Sequence, residues 1–321
     1  MPLASSADNI RYNGTGRCYA GAVGGSSFDE LGDLENLNFN MSVSTEKLKT
    51  NRNAAKATIL EVESEREAGI TFGLREMTNE NLKMALLGTA VNTLNQSASF
   101  IDGITPTFAD DLYIDLGYLN IFSTKLSGTI TSGDLAIGDT LTGDTSGATA
   151  KVAFIGTGNI EVVNLSGTFE VGETASNGGT GSIAITGVET LEDVVVTDST
   201  GETRRVNGTD YTFDPDYGYL RKLSTGSITD SDKVSGDYEA VSKKYIWAMS
   251  SSSVTKKIIF VSDKDDQGIR TRWTFHKVQI NLDGDFPLIG SGAAILSIKG
   301  TVLADTTQAS GQEYYKVETM G

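Results

Sequence analysis

The tightest constraint on this chain lies in residues 57–88, where strand-like alternation runs into one short capped helix. In Ala57–Glu65 the residues Leu60, Val62 and Ser64 fall on one face, and Glu61, Glu63 and Glu65 fall on the other. Ala68–Gly69 reads as a turn, after which Gly69–Met77 resumes the alternation with Ile70, Phe72 and Leu74 together. Thr78 then precedes Asn79–Leu87, where the apolar period lengthens to about 3.6 residues, and the run stops at Gly88. A hairpin with one dry face and a single amphipathic helix cannot bury itself alone. Its covering strands must come from elsewhere, and matching alternation reappears in the C-terminal third.

Composition points the same way. The chain has 321 residues, longer than one core usually serves, so more than one domain is expected. Its 36 glycines against 4 prolines, with Thr, Ser and Val throughout, favour many short strands joined by tight turns. No apolar run approaches the roughly 20 residues that span a bilayer, so no membrane insertion is expected. The N-terminal Met1–Asp8 has neither a basic region nor an apolar core, which predicts no signal peptide. Cys18 is the single cysteine, which excludes an internal disulfide and a multi-cysteine metal site. The formal net charge of −16 argues against a sequence-reading nucleic-acid protein, which carries a basic patch. It suits a surface that must keep nucleic acid from adhering.

Three segments follow from the changes in composition: 1–125, 126–190 and 191–321. The middle one holds 13 of the 36 glycines and seven acids against one base, Lys151, with no Pro, Tyr or Trp. It also repeats itself at an offset of 34 residues, Leu135–Thr142 matching Phe169–Ser176 and Ala148–Val152 matching Ser182–Thr186. Two copies are too few for a solenoid and predict a small inserted all-β domain of two similar halves. Downstream, Trp273 and Phe275 take one face of a strand while Val278, Ile280 and Leu282 take the other. The phase slips near His276–Lys277, as a bulge or a strand passing between two sheets requires.

Catalytic chemistry finds little support. His276 is the one histidine and no nucleophile motif accompanies it. Asp263–Gly268 begins like a calcium loop, but the position needing a bidentate Glu is Thr274, inside a strand pattern. Gly156–Asn159 contains Gly-x-Gly without a third glycine or a following helix. Asp139, Asp144, Glu170 and Glu173 lack a repeating ligand spacing and read as turn residues. Neither an enzyme nor a cofactor is expected. Ser44–Lys56 is polar and locally basic, with Lys47, Lys49, Arg52 and Lys56 against Glu46. It reads either as a solvated loop or as a basic tongue docking on an acidic neighbour.

The order of these elements resembles the major tail tube proteins of long-tailed, siphovirus-like bacteriophages. The matching parts are the lead-in Leu31–Leu37, the loop 44–56, the hairpin 57–77 and the helix opened by Thr78. Gly208–Tyr211 with Gly218–Leu220, and the C-terminal Val278–Gly300 with Val302–Asp305, complete the set. The resemblance implies a mainly β fold: a two-sheet antiparallel β-sandwich or barrel with one flanking α-helix, here carrying the inserted domain. It implies hexameric rings stacked into a tube, joined to tape-measure, terminator and distal-tail proteins in the virion. The phage DNA would pass an electronegative lumen without specific binding. Six copies would carry −96 formal charges, six times −16. The long loop would reach the neighbouring ring, setting Lys47, Lys49, Arg52 and Lys56 against acids such as Glu61, Glu63 or Glu65. A glycan-binding β module of a virion or cell surface is the alternative, as is a terminator or distal-tail ring on the same fold.

Overall fold

The computed structural model describes residues 14–49, 58–131, 134–265, 268–286, 288–289 and 292–320, and divides the chain into two units. The first unit comprises residues 1–92 and 244–321, and the second residues 93–243. It opens with β1 (Gly16–Gly21), β2 (Phe28–Glu30), β3 (Leu34–Lys49), β4 (Thr58–Leu74) and α1 (Asn79–Ala85). β5 (Val91–Gln96) leads the chain out. The second unit continues with β6 (Ser99–Ile104), β7 (Tyr113–Asp115), β8 (Ile121–Thr131), β9 (Thr140–Gly143), β10 (Thr149–Gly156) and β11 (Asn159–Ser166). It then runs through β12 (Thr174–Ser176), β13 (Ser182–Leu191), β14 (Val195–Thr197), β15 (Tyr211–Asp214), β16 (Tyr219–Lys222) and β17 (Lys233–Tyr238). β18 (Val241–Ile246), which pairs with β5, leads back to β19 (Val254–Ser262), β20 (Arg270–Leu282), β21 (Leu296–Val302) and β22 (Tyr315–Met320). The fold is mainly β and antiparallel, with one short helix among the described residues.

In the first unit the sheet runs β2-β1-β19-β20-β21-β4-β3, with β22 also on β20. β20 is the hinge of this order. One of its edges pairs with β19, while the other is shared, Arg270–Phe275 with β22 and Val278–Leu282 with β21. Between Lys256↔Val278 and Ile258↔Phe275 the strand β20 advances one residue more than β19. That bulge sits at His276–Lys277, where the sequence predicts a slip. It does not pass the strand between sheets. It restores the phase, so that Phe275, Val278 and Ile280 enter one core with Ile70, Phe72, Leu74, Ile258, Leu296 and Ile298. Each such fully buried side chain contributes about 1.5–3 kcal/mol. Gly300 of β21 lets its neighbours meet: a Cβ there would lie 2.5 Å from Val278 Cγ1 and 2.9 Å from Ile70 Cγ1.

The helix is capped as its sequence predicts. The Thr78 hydroxyl accepts from Asn81 N at 3.1 Å, and Met84 and Ala85 turn into the core. Leu87, not Gly88, takes the left-handed turn (φ 53°), and Gly88 N donates to Lys83 O at 2.8 Å. Gly88 is needed for room, since a Cβ would meet Ile246 Cγ2 at 2.5 Å. The expected turn at Ala68–Gly69 is absent, because β4 runs straight through it, paired with β3 from Leu34↔Leu74 to Lys49↔Thr58. Gly69 is there because the Asn40 side chain opposite occupies the space a Cβ would take, 2.6 Å away. Cys18 is fully buried, and that burial pushes its thiol up to about 12.

In the second unit β8-β11-β10-β9-β12-β13 close into a six-stranded barrel, the ring completed by β13 on β8. The 34-residue repeat maps β8, β9 and β10 onto β11, β12 and β13, and exchanging the halves leaves every neighbour relation in the ring unchanged. The boundaries expected at 126 and 190 fall within β8 and β13. The turns repeat as well. Asp139 Oδ2 accepts from Ala136 N at 2.9 Å, and Glu173 Oε1 accepts from Glu170 N at 2.6 Å. Each carboxylate also reaches into the other half: Asp139 takes Asn177 Nδ2 (2.9 Å), and Glu173 takes Thr145 N (3.2 Å) and Ser146 N (2.9 Å). Both acids pin turns, as expected, but Glu173 is buried where a solvated turn was expected, because it accepts from three backbone donors.

Beside the barrel in the same unit, β6, β14 and β17 and a separate sheet β15-β16-β7 enclose Ile101, Ile121, Val194, Val196, Tyr211 and Leu220. The Arg204 guanidinium ties them to the barrel. It donates to Glu161 of β11 at 2.8 Å, to Val194 O at 2.8 Å and to the Tyr211 hydroxyl at 2.9 Å. Tyr211 in turn donates to Asp193 at 3.0 Å. Burial raises Asp193 above the ordinary carboxylate range despite the Arg204 charge. It also raises the Tyr211 phenol.

Glu173 yields a prediction. Burial alone would raise its carboxyl, but the hydrogen bonds from Ser146, Glu170 and Thr145 outweigh that and hold it below its ordinary value. Glu173→Ala strands three backbone donors and should cost about 2–3 kcal/mol in urea unfolding at neutral pH. The folded value lies below the unfolded one, so this stabilisation is complete above about pH 4.3. It is lost as pH falls through the folded value, and the gap between wild type and variant should narrow there.

Candidate functional site

β3 and β4 continue as a two-stranded arm beyond the sheet's core. Inward of the pair Met41↔Ala68 β4 carries buried residues and β3 the half-buried Leu34, Leu37 and Phe39, and outward of it both strands are exposed on both faces. The arm nevertheless carries Val43 (50% exposed), Leu48 (59%), Ile59 (64%), Leu60 (52%) and Val62 (51%). β3 ends the sheet order, so its 16 residues pair with β4 on one edge and with no other described strand on the other. A long free edge flanked by apolar side chains is a template for another chain.

One irregularity decides which residues share a face of the arm. Ser44 pairs with Glu65 and Thr45 with Glu63, so Ser64 is an extra residue in β4, its hydroxyl donating to Ser44 O at 3.1 Å. β3 alternates regularly through this point. Glu61 and Glu63 therefore join Thr45 and Lys47 on the face of Met41 and Val43, while Leu60 and Val62 join Glu46 and Leu48 on the opposite face. Strict alternation from the sequence would have kept Glu61, Glu63 and Glu65 together, and the bulge separates Glu65 from the other two.

The residues expected to bridge rings are partly spent within the arm. Lys47 Nζ lies 3.3 Å from Glu61 Oε1, which also accepts from Thr45 Oγ1 at 2.9 Å. Glu63 is held by Arg66, a residue the sequence reading did not single out, with Nη2 2.9 Å from Oε2. That hydrogen bond, reinforced by the guanidinium charge, keeps the Glu63 carboxyl below its ordinary value. An i,i+3 pair on a strand meets because the Ser64 bulge puts both ends on one face. Glu65 is exposed opposite Ser44, and Lys49 stands opposite Thr58 at the last described pair. Arg52 and Lys56 lie outside the described residues. The segment 44–49, expected as loop, is strand, because the register with β4 extends to its end.

Other chemistry-bearing residues are structural in setting. His276 occupies the β20 bulge, where burial first and the Lys257 charge next keep its imidazole below its ordinary value. Of the segment Asp263–Gly268, Asp266 and Gln267 lie outside the described residues, and Thr274 is buried within β20. Among the described residues no group of three or more His, Cys, Asp or Glu is placed to hold a metal ion, and no helix is long and apolar enough to cross a membrane.

The Lys47–Glu61 pair is half exposed at both ends, and such pairs contribute at most about 1 kcal/mol. Glu61→Ala should lower the unfolding free energy in urea by less than that, and a larger loss would mean that the arm is packed in solution.

Comparison with known proteins supplies the affiliation. No curated protein matches the chain. Residues 11–139 and 150–317 match the model of one family, the gap between them falling on β9 and the turn that follows it. Since that match covers most of its length, the chain belongs to the family described as protein of unknown function UCP028589.

Proposed function

We propose that the chain is a self-assembling structural subunit, of the kind that builds a bacteriophage tail tube from stacked hexameric rings, and that it is not an enzyme. The observation that carries this reading is the arm. A two-stranded ribbon is marginal by itself in water, and this one holds five large apolar residues half exposed or more beside the outer edge of β3, which pairs with no other described strand. Neighbouring copies would pair that edge and cover those side chains, removing both liabilities at once. The resemblance of its element order to tail tube proteins supports the same assignment, with the virion as the place of action, although the hairpin 57–77 and the start of the loop 44–56 on which it partly rested are strand in the structure. The acidic balance of −16 suits a lumen that lets DNA slide. Tape-measure, terminator and distal-tail proteins would be its further partners.

In this reading the arm engages its neighbour mainly through apolar contact. Lys47 is already paired with Glu61 in its own chain, so an exchange of charges between rings has less to offer than the sequence implies. The double variant Leu60→Asp/Val62→Asp replaces two exposed side chains and should leave the unfolding midpoint unchanged. Sedimentation velocity across a concentration series should show large assemblies for the wild type and none for the variant. Assemblies formed equally well by both would remove the arm from the interface.

A further inference from the structure

We propose that the outer face of the β15-β16-β7 sheet, with the cleft beside it, binds a neutral glycan through Tyr217 and Tyr219. This site is independent of the assembly reading and lies outside the barrel. The barrel, the inserted domain in which a sugar site would first be sought, has no Tyr or Trp at all between 126 and 190.

The sheet sorts its residues cleanly. Leu220 and Ile114 pair across β16 and β7 and turn inward, Leu220 being fully buried. Their neighbours Tyr219 and Asp115 also pair, and so share the outer face. Tyr217 stands in the turn before β16. Gly218 closes that turn at φ 66°, with Tyr118 O 2.2 Å from where a Cβ would be. The rings of Tyr217 and Tyr219 lie near parallel, 16° apart in plane and 5.8 Å between centres. They remain 58% and 39% exposed. A shallow open cleft beside them is completed by Leu94, Tyr118 and Lys243, a form that suits a ligand lying across the ring faces rather than one enclosed in a cavity.

The polar groups choose the occupant. Asp115 uses one carboxylate oxygen to accept Gly117 N at 2.7 Å, and the other has no partner among the described residues. Lys243 is exposed and makes no ion pair among them. The cleft thus offers apolar ring faces, a carboxylate acceptor and an ammonium donor, with the two charges cancelling. A pyranose matches each: its C–H face covers an aromatic plane, and each hydroxyl both donates and accepts. A proline-rich peptide, the other usual guest of a tyrosine-lined groove, offers mainly carbonyl acceptors and would leave Asp115 unanswered.

The test is saturation-transfer NMR on the full chain. The probes are linear trisaccharides of glucose, galactose and N-acetylglucosamine, with a proline-rich peptide beside them. Transfer to sugar ring protons is expected for at least one saccharide at millimolar concentration. Its Kd should rise about tenfold or more in Tyr217→Ala, a loss of about 1.4 kcal/mol. It should also rise in the conservative Asp115→Asn, and stay unchanged in Tyr245→Ala, an exposed tyrosine of the other unit. Matching unfolding midpoints certify the variants as folded. No transfer to any of the three saccharides, equal affinity in Tyr217→Ala and Asp115→Asn, or binding of the peptide in their place would overturn the proposal.

Discussion

The first unit depends on one extra residue in β20. Without the bulge at His276–Lys277, Trp273 and Phe275 would face away from Val278 and Ile280, and no single core could take both sets. With it, Phe275 meets Phe39 and Tyr315 at ring separations of 5.5 and 5.9 Å, and Val278 reaches Ile70 over Gly300. The same point is where the shared edge of β20 passes from β22 to β21. β21 then holds β4 through pairs such as Ile298↔Phe72, and β4 holds β3. The arm is therefore rooted in the most buried part of the sheet.

A second bulge, at Ser64, works in the opposite sense. Where the first gathers apolar residues onto one face, the second moves them from one face of the arm to the other, so Val43 and Leu60 lie on opposite sides. A ribbon covered by the body of its own chain would need apolar residues on one side. Apolar residues on both sides, with an open edge between them, suit a strand enclosed by neighbours. This arrangement is the physical basis for reading the chain as an assembling subunit.

Much of the architecture was legible in the sequence because it rests on local signals. Thr78 and the 3.6 period announce the helix, the 34-residue repeat announces a two-half β module, and the broken phase at His276 announces a bulge. What stayed hidden depends on register. Ala68–Gly69 looks like a turn until Asn40 is seen to need the space above Gly69. The three alternating glutamates look equivalent until pairing with Ser44 and Thr45 separates Glu65 from Glu63. Arg66 becomes Glu63's partner only through that bulge, and nothing in the local sequence marks Ser64 as the extra residue. The closure of the barrel is likewise a property of long-range pairing, β8 with both β11 and β13.

The most direct measurement of the central claim is negative-stain electron microscopy of the purified full chain over a wide concentration range. The account predicts hollow tubes with a regular axial repeat, built of rings. Monodisperse single subunits at every concentration would contradict it, since the arm would then have remained uncovered by choice of the fold and not for want of a partner copy.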